Sequence, residues 1–293
     1  MKKISGSGVA LVTPFLEGGD IDFEGLTKLV NHCFDGGIDY LVVMGTTAEN
    51  PVLQSDEKLA ILAHVIKVNA KKLPIVYGIG GNCTAEVTAA LKSTNLDGVD
   101  AILSVSPYYN KPTQEGVYQH FKAVSESTNL PIIVYNVPGR TSSNMQAETT
   151  LRLAHDFDNI VAIKEASGEL EQVMKICNER PSDFLVISGD DNLTLPMIAS
   201  GGNGVISVSG QAFPATFSQM VNAAIEGDFV TARQAHYKLF EVTKMLFAEG
   251  NPGGVKAALH HKGICGKYMR LPLWPISKEL EESISKEILK HDL

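Results

Sequence analysis

Cysteine is scarce in this chain. Four thiols, at 33, 83, 177 and 265, are spread over 293 residues with no CxxC pair. A zinc knuckle or a thioredoxin-type motif needs close spacing, so the four are expected as reduced core thiols. Metal-ligand spacing is missing among the histidines as well; the one adjacent pair, His260-His261, would point in different directions on a helix. Basic residues are outnumbered, with Lys+Arg 25 against Asp+Glu 33 and a formal charge of −8. A nucleic-acid partner is therefore disfavoured, because displacing counterions takes a basic stripe, and the acidic excess mainly aids solubility. No apolar run approaches the roughly 18–20 residues of a membrane span. Lys2 and Lys3 are followed by Gly6, Gly8 and Pro14 instead of a long apolar segment, so no signal peptide is expected. A cytoplasmic protein without membrane contact is the expectation. What the chain does have is apolar bulk, 44% hydrophobic against 20% charged. That excludes disorder and suffices for one large domain or two small ones.

Strand-length apolar runs recur at 9–14, 40–45, 74–80, 101–107, 131–138, 161–166, 184–189 and 204–209. Most show little polar alternation, as strands covered on both faces do. Helical spacing fills the gaps. Phe23, Leu26, Leu29, Val30, Cys33 and Phe34 follow an i, i+3, i+4, i+7 rhythm, and helix starts are expected at Ser55, Thr84 and Thr113. Eight strand–helix units in strict alternation predict parallel strands with right-handed crossovers. They match a closed (β/α)8 TIM barrel, which takes about 250 residues. An open doubly wound sheet would alternate too, but no glycine-rich fingerprint follows the first strand. The barrel is assigned to 1–227. Helical patterns at 229–249, 254–262 and 277–290 make 228–293 a C-terminal helical extension packed on it.

In such a barrel, chemistry belongs where strands end and βα loops begin. Strand two ends in Gly45-Thr46-Thr47-Ala48-Glu49 and strand four in Pro107-Tyr108-Tyr109-Asn110. Strand five ends in Tyr135-Asn136-Val137-Pro138-Gly139-Arg140-Thr141, strand six in Ile163-Lys164-Glu165-Ala166 and strand seven in Ser188-Gly189-Asp190-Asp191. Hydroxyls, phenols, one Arg and one Lys thus meet on one rim. Lys164 alternates with Ala162 and Ala166, small neighbours that leave room beside its amine. Facing inward, the ammonium would lose hydration and its pKa would fall, exposing a nucleophile that condenses with ketones. Facing outward, it would be a surface lysine or an ion pair with Glu165. Tyr135 reads equally as a proton relay or as a core phenol with a satisfied hydroxyl. Thr46 and Thr47 could simply shape a turn. Tyr108 and Tyr109 could be interface aromatics. Arg140 suits a surface ion pair or a two-pronged grip on a carboxylate. Gly78-Ile79-Gly80-Gly81-Asn82 reads as a tight turn.

These motifs, in order along essentially the whole chain through Gly204-Val205-Ile206-Ser207 and Asn251-Pro252, resemble the dihydrodipicolinate synthase family, a class I pyruvate-dependent lyase group. The resemblance implies condensation of pyruvate with L-aspartate-4-semialdehyde in the committed step toward diaminopimelate and lysine, with no cofactor and no metal. It implies that Lys164 forms the Schiff base and that Tyr135 carries protons with Thr46 and Tyr109, the latter reaching in from a neighbouring subunit of a homotetramer built from dimers. It gives Thr47, Gly189 and the Ile206 backbone to pyruvate and Arg140 to the carboxylate of the semialdehyde. Two departures stand out. Ala48 replaces a common Gly after the Thr pair. Asn50, Pro51, Ser55 and Lys58 replace the Ser-Ala and two His of lysine-inhibited members, although Asn82, Glu86 and Tyr108 match, so feedback by lysine is expected to be weak or absent. Alternatives are an N-acetylneuraminate lyase or 2-keto-3-deoxy-sugar-acid aldolase, which share the lysine and tyrosine but need hydroxyl-binding groups where Arg140 stands. A catalytically silent keto-acid-binding barrel is a further alternative, though the complete relay argues against it.

Overall fold

The computed structural model describes residues 4–70 and 72–293. Eight parallel strands run in chain order around a closed barrel: β1 (Gly6–Ala10), β2 (Tyr40–Val43), β3 (Ile75–Gly78), β4 (Ala101–Val105), β5 (Ile132–Asn136), β6 (Ile160–Glu165), β7 (Leu185–Ser188) and β8 (Gly204–Ser207), the last pairing back to β1. The helices between and after them are α1 (Phe23–Asp35), α2 (Ser55–Asn69), α3 (Thr84–Ser93), α4 (Gln114–Ser125), α5 (Pro138–Thr141), α6 (Ala147–Asp156), α7 (Leu170–Glu179), α8 (Thr194–Ala199), α9 (Pro214–Ile225), α10 (Phe229–Phe247), α11 (Gly253–His261) and α12 (Lys278–His291). The expected TIM barrel is present. Among the described residues no helix is long and apolar enough to cross a membrane.

Local chemistry explains the helix starts. Asp22 accepts from the Gly25 N–H at the head of α1, Thr113 accepts from Gly116 at α4, and Ser277 caps α12 through the Leu280 N–H. Gln54 and Glu57 form a reciprocal capping box on α2. The first strand lies earlier than the apolar run at 9–14 predicts. Gly6 and Gly8 hide its start, because glycine carries no strand signal, yet both are needed. A side chain at Gly8 would sit 2.2 Å from the Tyr40 ring, which fills the barrel at that level and donates its hydroxyl to the Val205 carbonyl at 2.9 Å. Leu11 and Val12 continue past the strand as buried loop, where Gln211 accepts from the Val12 N–H at 2.8 Å.

Two apolar compartments result. One lies between the strands and their helices; the other is the barrel interior, where Val42, Val76, Leu103, Ile133, Ala162, Ile187 and Ile206 interdigitate. Not all four thiols are core thiols. Cys33 and Cys265 are buried and free, but Cys83 is exposed and Cys177 only half-buried, since Cys83 stands in the loop just before α3 and not on a packed face. Helices α10, α11 and α12 pack on one another, and α10 lies along α9.

Candidate active site

Strand alternation decides which side chains enter the barrel. On β6, Ala162 and Lys164 face the interior, as does Ala166 just past its end, while Ile163 packs in the outer layer. Register places Lys164 opposite Tyr135 of β5 and Asn136 opposite Glu165. The result is two rungs on opposite faces of the sheet. Inside, the Lys164 amine stands 4.3 Å from the centre of the Tyr135 ring. On the helix side, the Glu165 carboxyl accepts from Asn136 Nδ2 at 3.0 and 3.1 Å, from the Ser167 N–H at 2.7 Å and from Gln172 Nε2 at 2.9 Å. Glu165 therefore has its own buried partners, and the ion pair with Lys164 that the sequence left open does not form.

Lys164 is only 5% exposed. Desolvation draws its pKa down to about 7; the nearby charge of Asp191 opposes the drop and that of Arg140 adds to it. Burial pushes Tyr135 up to about 12, against the pull of Arg140 and of a hydrogen bond with Thr46. Asp191, itself buried and with its pKa raised by desolvation, is fixed by the N–H groups of Val208 at 3.1 Å and Ser209 at 2.8 Å and by the Ser209 hydroxyl at 2.9 Å.

A cavity of about 600 Å³ opens over the amine, lined among others by Thr46, Thr47, Tyr135, Arg140, Lys164 and Gly189. Gly189 permits this packing. A methyl there would meet the Ala166 Cβ at 2.7 Å and the Lys164 Cε at 3.0 Å. Arg140 sits on the short helix α5, exposed and without an acceptor for its guanidinium among the described residues. A second cavity of about 420 Å³ adjoins, sharing Thr46, Tyr135 and Arg140 and adding Tyr108 and the half-buried Lys58. Six of the eight residues singled out in the sequence therefore meet in one space. Ile206 is buried in the barrel interior and does not line the cavity. Tyr109 does not join them. It stands 82% exposed, in a left-handed backbone conformation (φ 74°) that costs a non-glycine residue about 1–3 kcal/mol. Sequence reasoning gave no role to Asn251, which lines the cavity and donates to Thr47 Oγ1 at 2.9 Å. Its place in the Asn251-Pro252 motif gave no hint of this contact, which spans 204 positions.

A lysine desolvated at the carboxyl end of a parallel-barrel strand, beside a phenol and a cationic rim, is an arrangement able to form an imine with a keto acid, as lyases of the Schiff-base class do. The dihydrodipicolinate synthetase family model matches residues 3–291, and the chain belongs to that family. It is 51% identical to the 4-hydroxy-tetrahydrodipicolinate synthase of Parabacteroides distasonis over 287 residues, covering 98% of this chain and 96% of the relative. The crystal structure of dihydrodipicolinate synthase from Aquifex aeolicus superposes with a TM-score of 0.95 at 41% identity, covering 99% of both chains. The chloride-inhibited Acinetobacter baumannii synthase, solved in complex with pyruvate, superposes with a TM-score of 0.96 at 38% identity, again over 99% of both.

Proposed function

We propose that this chain condenses pyruvate with L-aspartate-4-semialdehyde to give 4-hydroxy-tetrahydrodipicolinate, the committed step toward diaminopimelate and lysine. The observation that carries the reading is the buried amine of Lys164, drawn down to about 7 beside Tyr135 under an open cavity. In this mechanism the amine attacks C2 of pyruvate and water leaves, giving an imine. The iminium charge acidifies C3, and loss of a proton there gives an enamine. The enamine carbon bonds to the aldehyde carbon, and the resulting alkoxide takes a proton. The semialdehyde's own amino group then attacks C2 and displaces Lys164, closing the ring, so one water is lost overall.

Each proton needs a carrier. A phenol pushed up to about 12 stays protonated at neutral pH, so Tyr135 passes protons through with Thr46 instead of acting as a standing base. Tyr109, exposed and outside the lining of its own cavity, would complete the relay in a neighbouring copy of a homotetramer made of dimers. Thr47, Gly189 and the Ile206 backbone would seat the pyruvate carboxylate, and Arg140 that of the semialdehyde. Residues 1–227 would form the catalytic barrel, with 228–293 as its extension, in the cytoplasm. Treatment with pyruvate and borohydride should leave a stable adduct on the peptide containing Lys164. Turnover should require the semialdehyde and not a sugar-derived aldehyde. An unmodified Lys164, or turnover of the sugar-derived aldehyde alone, would refute the reading.

A further inference from the structure

The turn that carries Thr46 and Thr47 is held in an uncommon way. It is a single helical turn, Thr46–Ala48, bracketed by two non-glycine residues in the left-handed region, Met44 at φ 61° and Glu49 at φ 58°. Glycine would adopt that conformation at 49 without strain, so the glutamate side chain must supply what the backbone gives up. The Glu49 carboxylate is 1% exposed and ion-paired with Lys256 of α11, which is fully buried and 207 positions away. Lys256 also donates to the Tyr268 carbonyl at 2.8 Å and stands 4.4 Å from the centre of the Phe15 ring. The other carboxylate oxygen accepts from the Arg270 N–H at 3.2 Å. On the next residues inward, the Ala48 carbonyl accepts from Thr13 Oγ1 at 2.7 Å, and Thr47 Oγ1 accepts from Asn251 Nδ2 at 2.9 Å.

We propose that the Glu49–Lys256 pair is a positioning device that locks the Thr46–Thr47 turn against helix α11, making the C-terminal helices part of the machinery for aligning the hydroxyl relay. The inference rests on the proposed role of Lys164 and Tyr135 with Thr46. Neither Glu49 nor Lys256 lines the cavity over Lys164, so the pair acts through the turn and not on substrate.

The test compares Glu49→Gln, Lys256→Met and the double variant Glu49→Gln/Lys256→Met with the parent chain. A control is Glu281→Gln, which removes an ion pair with Lys267 that is partly open to solvent. Thermal midpoint, kcat at saturating pyruvate and kcat/KM for pyruvate are read for each. Each single variant strands one buried charge and should lower the midpoint; the double variant strands none and should recover much of it. If the pair positions the turn, the double variant still loses about 10- to 100-fold in kcat/KM. The loss should show in kcat at saturating pyruvate and not in KM alone, because a displaced Thr46 no longer passes protons with Tyr135 while the Lys164 amine is untouched. The control should match the parent. A double variant that recovers both kcat and kcat/KM to within about twofold overturns the inference and leaves the pair a fold stabiliser. That double variant also carries the test if a single variant fails to fold. A parent chain that forms no borohydride-stable adduct with pyruvate overturns the underlying reading first, which separates the two failures.

Discussion

Imine formation needs a neutral amine, and the depth at which Lys164 is buried sets how much of it is neutral. Moving a lysine from 10.5 to about 7 costs its charged form about 5 kcal/mol. At pH 7.5 about three quarters of Lys164 is then uncharged, against about one part in a thousand for an ordinary lysine. The sign follows from the protonation states. Below pH 7 the amine is increasingly an ammonium, so the rate of pyruvate capture should fall about tenfold per pH unit. Above pH 8 it should level off. Single-turnover trapping with pyruvate and borohydride, run from pH 5.5 to 10 and read by mass spectrometry, measures that limb directly. Lys164→Arg, which keeps a cation but loses the titrating nucleophile, should give no adduct at any pH. An acid limb at pH 9 or above would refute the reasoning, because it would mean that the amine sees bulk water in the functioning protein.

Gly189→Ala should reduce kcat/KM for pyruvate by about tenfold and lower the thermal midpoint, since the added methyl presses on Ala166 and the Lys164 stem; unchanged kinetics would show that the cradle has slack. Arg140→Met should raise KM for the semialdehyde by about 10- to 100-fold while leaving pyruvate trapping intact. The same change should move the acid limb of trapping to higher pH, because the Arg140 charge is one of the forces holding Lys164 down. L-lysine should inhibit weakly or not at all, because Lys58 presents a half-buried cation with no ion-pair partner among the described residues, and strong inhibition below millimolar lysine would refute this. Tyr109→Phe should lower kcat, and dilution of the parent chain should lower specific activity if that phenol serves a neighbouring copy; activity independent of both would remove Tyr109 from the relay.

The barrel was legible because its strands are buried on both faces and so appear as unbroken apolar runs, with βα alternation leaving few ways to connect them. The site was legible for a related reason. Residues at strand ends are read in chain order, so Thr46, Tyr135, Arg140, Lys164 and Gly189, which line one cavity, announce themselves as polar or small residues where an apolar run stops. Legibility failed where position depends on distant partners. The Gly6–Ala10 strand exists because β8 offers it an edge and Tyr40 needs the space over Gly8, and neither fact is local.

Glu49 shows the limit most clearly. In the sequence it is one acidic residue after a polar turn, and the ordinary expectation for such a residue is a solvated carboxylate. In the fold it lies sealed against Lys256, which the helical pattern at 254–262 had marked only as part of a helix. Burying both charges is unfavourable unless each finds the other, and removing one member of such a pair typically costs about 3–5 kcal/mol. The pairing is therefore a constraint that neither segment reveals alone. The same reasoning applies to Asn251 and Thr47. Wherever a turn that lines a cavity is held from across the chain, residue types mark the groups able to do chemistry and leave unmarked those that hold them in place, because holding is a property of tertiary contacts.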